Sequence, residues 1–161
     1  MNNDTLTAIL DSEEIIAGVI MITMGTLGFI ISVTVIAQIT RESAFHNAFG
    51  YLCLSNLAAN SAELLINVLW TGPATLLQFD ESVTHSFIGG ILAQLILLFW
   101  FAIIYGHLEI AINRIVAIAW PVRYNKIFAG RNVIYFITCS WILSFIHSLW
   151  YSWCKLSNFY Y

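Results

Sequence analysis

The sequence predicts an all-α fold, an integral membrane helical bundle with four transmembrane helices. Three observations predict it. The 161 residues are 60% hydrophobic and only 9% charged, with a mean hydropathy of +0.82. A soluble domain carries about a quarter charged residues, so the excess apolar surface here has to face lipid. The chain also holds four apolar runs long enough to cross a bilayer, for which roughly 20 residues suffice. Finally, its Lys and Arg are sorted between alternate loops. Runs this long are not strands, and hydrocarbon tolerates only helices or closed barrels because every backbone polar group must be paired within the protein.

The elements follow in order. Residues 1–14 contain Asp4, Asp11, Glu13 and Glu14 and no Lys or Arg. A cleavable signal peptide starts positive and has a shorter apolar core, so this segment reads as an extracellular tail and the run after it as a permanent helix. That first helix covers about 15–40, which holds no charged residue. The second covers about 47–70, interrupted only by Glu63, with Thr71-Gly72-Pro73 as a turn signal. The third covers about 86–119. It starts with 21 uncharged residues, continues through His107, Glu109 and Arg114, and meets Pro121 as its stop. The fourth covers about 133–153 and is followed by a short tail, 154–161.

Orientation follows from the cations. Arg41, Arg114, Arg123, Lys126 and Arg131 fall on one side and Lys155 alone on the other. The first and third loops are therefore expected in the cytoplasm, with both termini outside. Asn3-Asp4-Thr5 is a glycosylation sequon, which has meaning only on the outer face. Trp70, Trp150, Tyr151 and Trp153 then cluster at the outer interface and Trp120 at the inner one, where amphipathic rings prefer to sit. The lipid bilayer is the first partner. A net charge of −3 gives no basis for a nucleic-acid partner. Cys53, Cys139 and Cys154 lie in or at the end of apolar runs and read as free thiols.

The segment from Tyr105 to Phe128, YGHLEIAINRIVAIAWPVRYNKIF, carries most information. Arg114 stands at the cytoplasmic end of a long helix, Pro121 follows at seven and Tyr124 at ten. An ionisable residue at membrane depth is a functional candidate by default; the alternative is a snorkelling side chain that only secures the helix end. Glu63 poses the same choice deeper in the second helix, as a ligand contact or as an interhelical hydrogen bond. His107 and Glu109 are two apart, about 200° around a helix, and cannot share one metal ion. No metal or cofactor is expected. The sequence has no Gly-x-Ser-x-Gly and no His-Glu-x-x-His, so an enzyme is not expected either. Ser55, Ala58, Ala59 and Ala62, and Gly25 with Gly28, are small residues at spacings that let helices approach closely.

Asn113-Arg114-Ile115-Val116-Ala117-Ile118, with Pro121 and Tyr124, resembles the variant Asp-Arg-Tyr motif of rhodopsin-like G-protein-coupled receptors. The stretch HLEIAINRIVAIAWPVRYNKIF is closer still to the nematode serpentine receptors of class X (Srx), candidate chemoreceptors. Leu54-Ser55-Asn56-Leu57-Ala58 is similar to the Asn-Leu-Ala stretch of the family's second helix, and Trp141 to its fourth-helix tryptophan. The resemblance implies a plasma-membrane chemosensory receptor with an unidentified small-molecule or peptide ligand and a heterotrimeric G protein as partner. Arg114 would hold the resting state and meet the G protein, Tyr124 would belong to the coupling loop, and Trp141 would pack against helices two and three. Asn113 replaces the usual acidic residue, which implies a weaker local lock. Asn60-Ser61 stands where the wider superfamily has a sodium-binding aspartate, and Gly89-Gly90 marks a third helix without the usual cysteine. The family has seven helices, so the expectation here is a truncated form that does not signal alone. The alternative is a four-helix membrane scaffold without receptor activity.

Overall fold

The computed structural model describes the backbone of residues 3–84 and 86–157, and the side chains of these except 3–11, 81, 152 and 154–157. The helices are α1 (Asn3–Arg41), α2 (Ala48–Ile66), α3 (Gly72–Leu76), α4 (Glu81–Thr84), α5 (Phe87–Ala119), α6 (Pro121–Ile127) and α7 (Gly130–Ser157). A π-helical turn, Asn67–Thr71, joins α2 to α3 without a break. Among the described residues, four stretches are long and apolar enough to cross a membrane: Ser12–Arg41, Ala48–Leu76, Phe87–Ala119 and Gly130–Tyr151. The expected all-α bundle of four spans is what the structure shows.

The spans pack in chain order. The α2 helix lies against both α1 and α5, and α7 closes on α5 and, more lightly, on α2. The polarity of this packing is inverted relative to a soluble protein. Ser32, Ser61, Asn113, Ser140, Ser144 and Ser148 are buried, while Met24, Ile31, Leu69, Ile118, Phe145 and Trp150 face outward. Such an exterior is insoluble in water and matches acyl chains, and polar groups inside find partners that lipid cannot provide.

Close approach of α1 to the second span rests on absent side chains. A Cβ on Gly18 would stand 2.8 Å from the backbone nitrogen of Leu76, and one on Gly25 would stand 2.7 Å from Val68 Cγ2. Farther along, Asn60 donates from Nδ2 to Ser32 Oγ at 3.0 Å. The antiparallel register therefore runs Gly18–Leu76, Gly25–Val68, Ser32–Asn60, one contact every two turns of α1. Across the bundle, Gln94 Nε2 donates to Ser148 Oγ at 3.0 Å and ties α5 to α7.

The structure departs from the expected boundaries in three places. The first helix begins at Asn3, inside the segment read as a tail. The fourth runs from Gly130 to Ser157, longer at both ends than 133–153. The second does not turn at Thr71-Gly72-Pro73 but continues to Leu76. The π turn explains this last difference. Gly72 N–H bonds to Asn67 O, five residues back. This wider turn leaves room for the Pro73 ring, which clashes with the preceding turn in a regular α-helix. The chain turns only after Leu77, with Gln78 in the left-handed region at φ 48°.

Candidate functional site at the basic end of the bundle

Helix α5 ends at Ala119 because Pro121 disfavours helical backbone at Trp120, which sits at φ −135°. Proline then occupies the first turn of α6, where its missing N–H costs nothing. The short α6 is pinned on three sides. Its inner face carries Tyr124, Ile127 and Phe128, which pack with Ala48, Leu52, Val116 and Val133 from three spans. Its C-terminus is capped by Asn132, whose Nδ2 donates to the carbonyls of Lys126 and Ile127, both at 3.1 Å. Its middle is tied to α5 by Asn113, whose Nδ2 donates to Tyr124 Oη at 3.2 Å, with the reverse donation to Asn113 Oδ1 longer at 3.5 Å.

Asn113 is only 2% exposed. An ionised carboxylate there would be a buried anion, whereas the amide serves as donor and acceptor to one phenol without a charge to desolvate. Asn113 and Arg114 point apart. The guanidinium is exposed and lies 5.1 Å from the Phe49 ring centroid, a cation–π contact with α2. Opposite the packed face of α6, Val122 is 93% exposed, beside exposed Arg123 and Lys126. From Arg114 to Asn132 there are four cations and no acidic residue. This end of the molecule therefore offers a positive surface with one protruding apolar side chain on a rigid short helix.

The remaining predicted residues lie elsewhere. Asn56 of α2 contacts His107 Nδ1 through Nδ2 at 3.4 Å, and its Oδ1 is buried with no hydrogen-bond partner. Trp141 donates from Nε1 to Ser55 Oγ at 3.0 Å, and its ring meets Phe99 edge-on at 6.1 Å. Glu109 lies beside Ser140 of α7, whereas His107 contacts Asn56 of α2, so the two do not converge. Glu63 is half-buried on α2, and among the described residues no hydrogen bond to it is found. Its expected interhelical bond is therefore not seen. The side chains of Asn3 and Cys154 lie outside the described residues; Cys53 and Cys139 are free thiols. Phe49, Val122 and the His147–Tyr105 pair (2.5 Å between Nδ1 and Oη) were not singled out for a role by the sequence, and Ser55, read there as a small packing residue, also accepts the Trp141 hydrogen bond. A phenylalanine beside the helix start and a valine directly after the proline were the available signals.

Removing the Tyr124 hydroxyl tests this arrangement. Tyr124→Phe should destabilise the bundle by about 1 kcal/mol, since it leaves a buried amide short of one partner. Limited trypsin digestion should then cut faster after Arg123 and Lys126, while cleavage after Arg41 stays unchanged.

The described residues thus form a four-span helical bundle with one cationic, helix-bearing end. The chain belongs to the family described as serpentine type 7TM GPCR chemoreceptor Srx, whose model matches residues 22–161. It is similar to serpentine receptor class X 45 of Caenorhabditis elegans, 31% identical over 137 residues, which covers 84% of this chain and 37% of that protein. Serpentine receptor class X-43 of the same organism is 24% identical over 140 residues, covering 87% of this chain and 43% of that protein. The chain thus spans about two fifths of the length of the curated relatives it matches.

Proposed function

We propose that this chain supplies the first four spans of a chemosensory G-protein-coupled receptor of the plasma membrane. Its N-terminus lies outside, where Asn3 accepts a glycan, and its basic end is the cytoplasmic face that meets a heterotrimeric G protein. The observation that carries the reading is the buried Asn113–Tyr124 pair, which holds α6 so that Val122, Arg123 and Lys126 project from the same end as Arg114. A cationic surface with one apolar knob suits an acidic protein partner with a hydrophobic pocket. The sorting of five cations to this side gives the orientation. Asn56 and Trp141 act in holding α2, α5 and α7 together. In a seven-span architecture, ligand-driven signalling requires spans beyond these four, because a ligand shifts only an equilibrium between states that it binds differently.

Nanodiscs carrying residues 1–161 test the coupling face. Nucleotide-free heterotrimeric G protein should bind saturably, and Val122→Asp or Arg114→Ala should each weaken the affinity by about tenfold, the worth of one buried apolar or charge-assisted contact. Val122→Asp should not change the melting of the bundle, because the side chain is exposed, and Arg114→Ala should lower stability by only about 0.5–1 kcal/mol, the worth of an exposed cation–π contact with Phe49. Unchanged affinity in both variants would remove this end from the coupling surface.

A further inference from the structure

The end opposite Arg114 carries a cleft of about 300 Å³ between the α2–α3 span and α5, lined by Trp70, Thr71, Ala74, Thr75, Gly89 and Ala93 among others. Among the described residues its lining contains no charged one. Trp70 forms one wall and is backed edge-on by Phe79, with ring centroids 6.2 Å apart.

Thr71 is the unusual residue. In these helices a threonine hydroxyl ordinarily bonds the carbonyl four residues earlier, as Thr23, Thr26, Thr34, Thr40, Thr75 and Thr138 all do at 2.7–3.0 Å. Thr71 Oγ1 makes no such bond and is buried without a hydrogen-bond partner. The cause is local. Thr71 closes the π turn, whose wider path moves the carbonyls of the preceding turn out of their α-helical positions. The same turn that admits Pro73 thus releases one hydroxyl at the cleft wall. A buried, unpaired hydroxyl costs free energy, and a ligand that pairs with it recovers that cost. The oxygen is covered in this conformation. Pairing with a ligand in the cleft therefore requires Thr71 to move to another staggered χ1 position.

We infer that this cleft binds a small uncharged molecule with one hydrogen-bonding head group on Thr71 and an apolar body against Trp70. This inference rests on the receptor reading above and names the class of ligand. At about 30 Å³ per water-sized unit, the space holds on the order of ten non-hydrogen atoms. A carboxylate or an ammonium ion finds no counter-charge among the described lining residues and is disfavoured by desolvation.

The test uses residues 1–161 in phosphatidylcholine nanodiscs without G protein, so that loss of coupling cannot be mistaken for loss of binding. The probe is 6-bromo-1-hexanol, whose bromine quenches tryptophan emission on contact. Saturable quenching is expected. It should vanish in Trp70→Phe and in Ala93→Phe, which fills the cleft, and its midpoint should rise about fivefold in Thr71→Val, the loss of one neutral hydrogen bond. The melting temperature of Thr71→Val should not fall, because the hydroxyl has no partner within the chain. 6-Bromohexanoate should bind at least tenfold more weakly. Equal binding of the carboxylate, an unchanged midpoint in Thr71→Val, or quenching that survives both Trp70→Phe and Ala93→Phe would overturn the inference.

Discussion

Gly106→Leu should destabilise the bundle by about 3 kcal/mol, at the upper end of the usual cost of overpacking. Gly106 is where α5 passes closest to the side chain of Asn56. A Cβ built there stands 2.6 Å from Asn56 Oδ1, 3.0 Å from its Cγ and 3.1 Å from its Cβ. The amide oxygen can swing away, but the Asn56 Cβ is fixed to the α2 backbone. The Cβ itself needs a shift of a few tenths of an ångström, but the three further carbons of leucine force the two helix axes apart, and the Asn56–His107 contact goes with them. Lipid supplies no hydrophobic force to press the helices together again, because acyl chains are as apolar as leucine. Unfolding in detergent mixtures should show the loss. Gly106→Ala should cost less, since a methyl needs only a small shift. Equal stability of wild type and Gly106→Leu would show that α2 and α5 are not in this register.

The second large effect is expected at Leu52. Its side chain is 1% exposed and touches the cluster that seats α6, with Val116, Phe128 and Val133. Leucine-to-alanine changes in soluble cores cost about 2–5 kcal/mol. Here the lower end, about 2 kcal/mol, applies, because the separated helices would keep Leu52 in lipid and only the cavity and lost packing remain. The consequence reaches the site. A loosened seat frees Tyr124 and Phe128, so Leu52→Ala should increase tryptic cleavage after Arg123 and Lys126 and weaken G-protein binding together. Destabilisation without faster cleavage there would separate the core from α6.

The number and type of spans were legible from run length and charge alone, since lipid leaves a chain of this composition few alternatives. The small residues Gly25 and Gly28 also signalled close packing of α1, and Gly25 does meet Val68. The end of the second span was not legible. Gly-Pro is a strong turn signal in isolation, and only the π turn upstream makes Pro73 compatible with a continuing helix. That geometry also determines the unpaired state of Thr71, which no pattern of residue types encodes. At the basic end, Asn113, Arg114, Pro121 and Tyr124 all stood out in the sequence. Their pairing did not. Adjacent Asn113 and Arg114 suggest a mutual contact, but one helical step of about 100° sends one side chain into the bundle and the other to the surface. Tyr124 reaches Asn113 only because the chain bends at Trp120, and Phe49 reaches Arg114 from another span. Contacts between spans depend on helix rotation, which a uniformly apolar sequence specifies weakly.

The most direct test of the account is the sidedness of its cationic end. Short epitopes can be placed before Met1, after Asn125 in α6 and after Tyr161, and antibody binding measured on intact and on permeabilised cells, with Asn3→Gln as the glycosylation control. The account predicts labelling of both terminal epitopes on intact cells, labelling of the α6 epitope only after permeabilisation, and a mobility shift lost in Asn3→Gln. Labelling of the α6 epitope on intact cells would place Arg114, Val122 and Lys126 outside and would contradict the proposed coupling face.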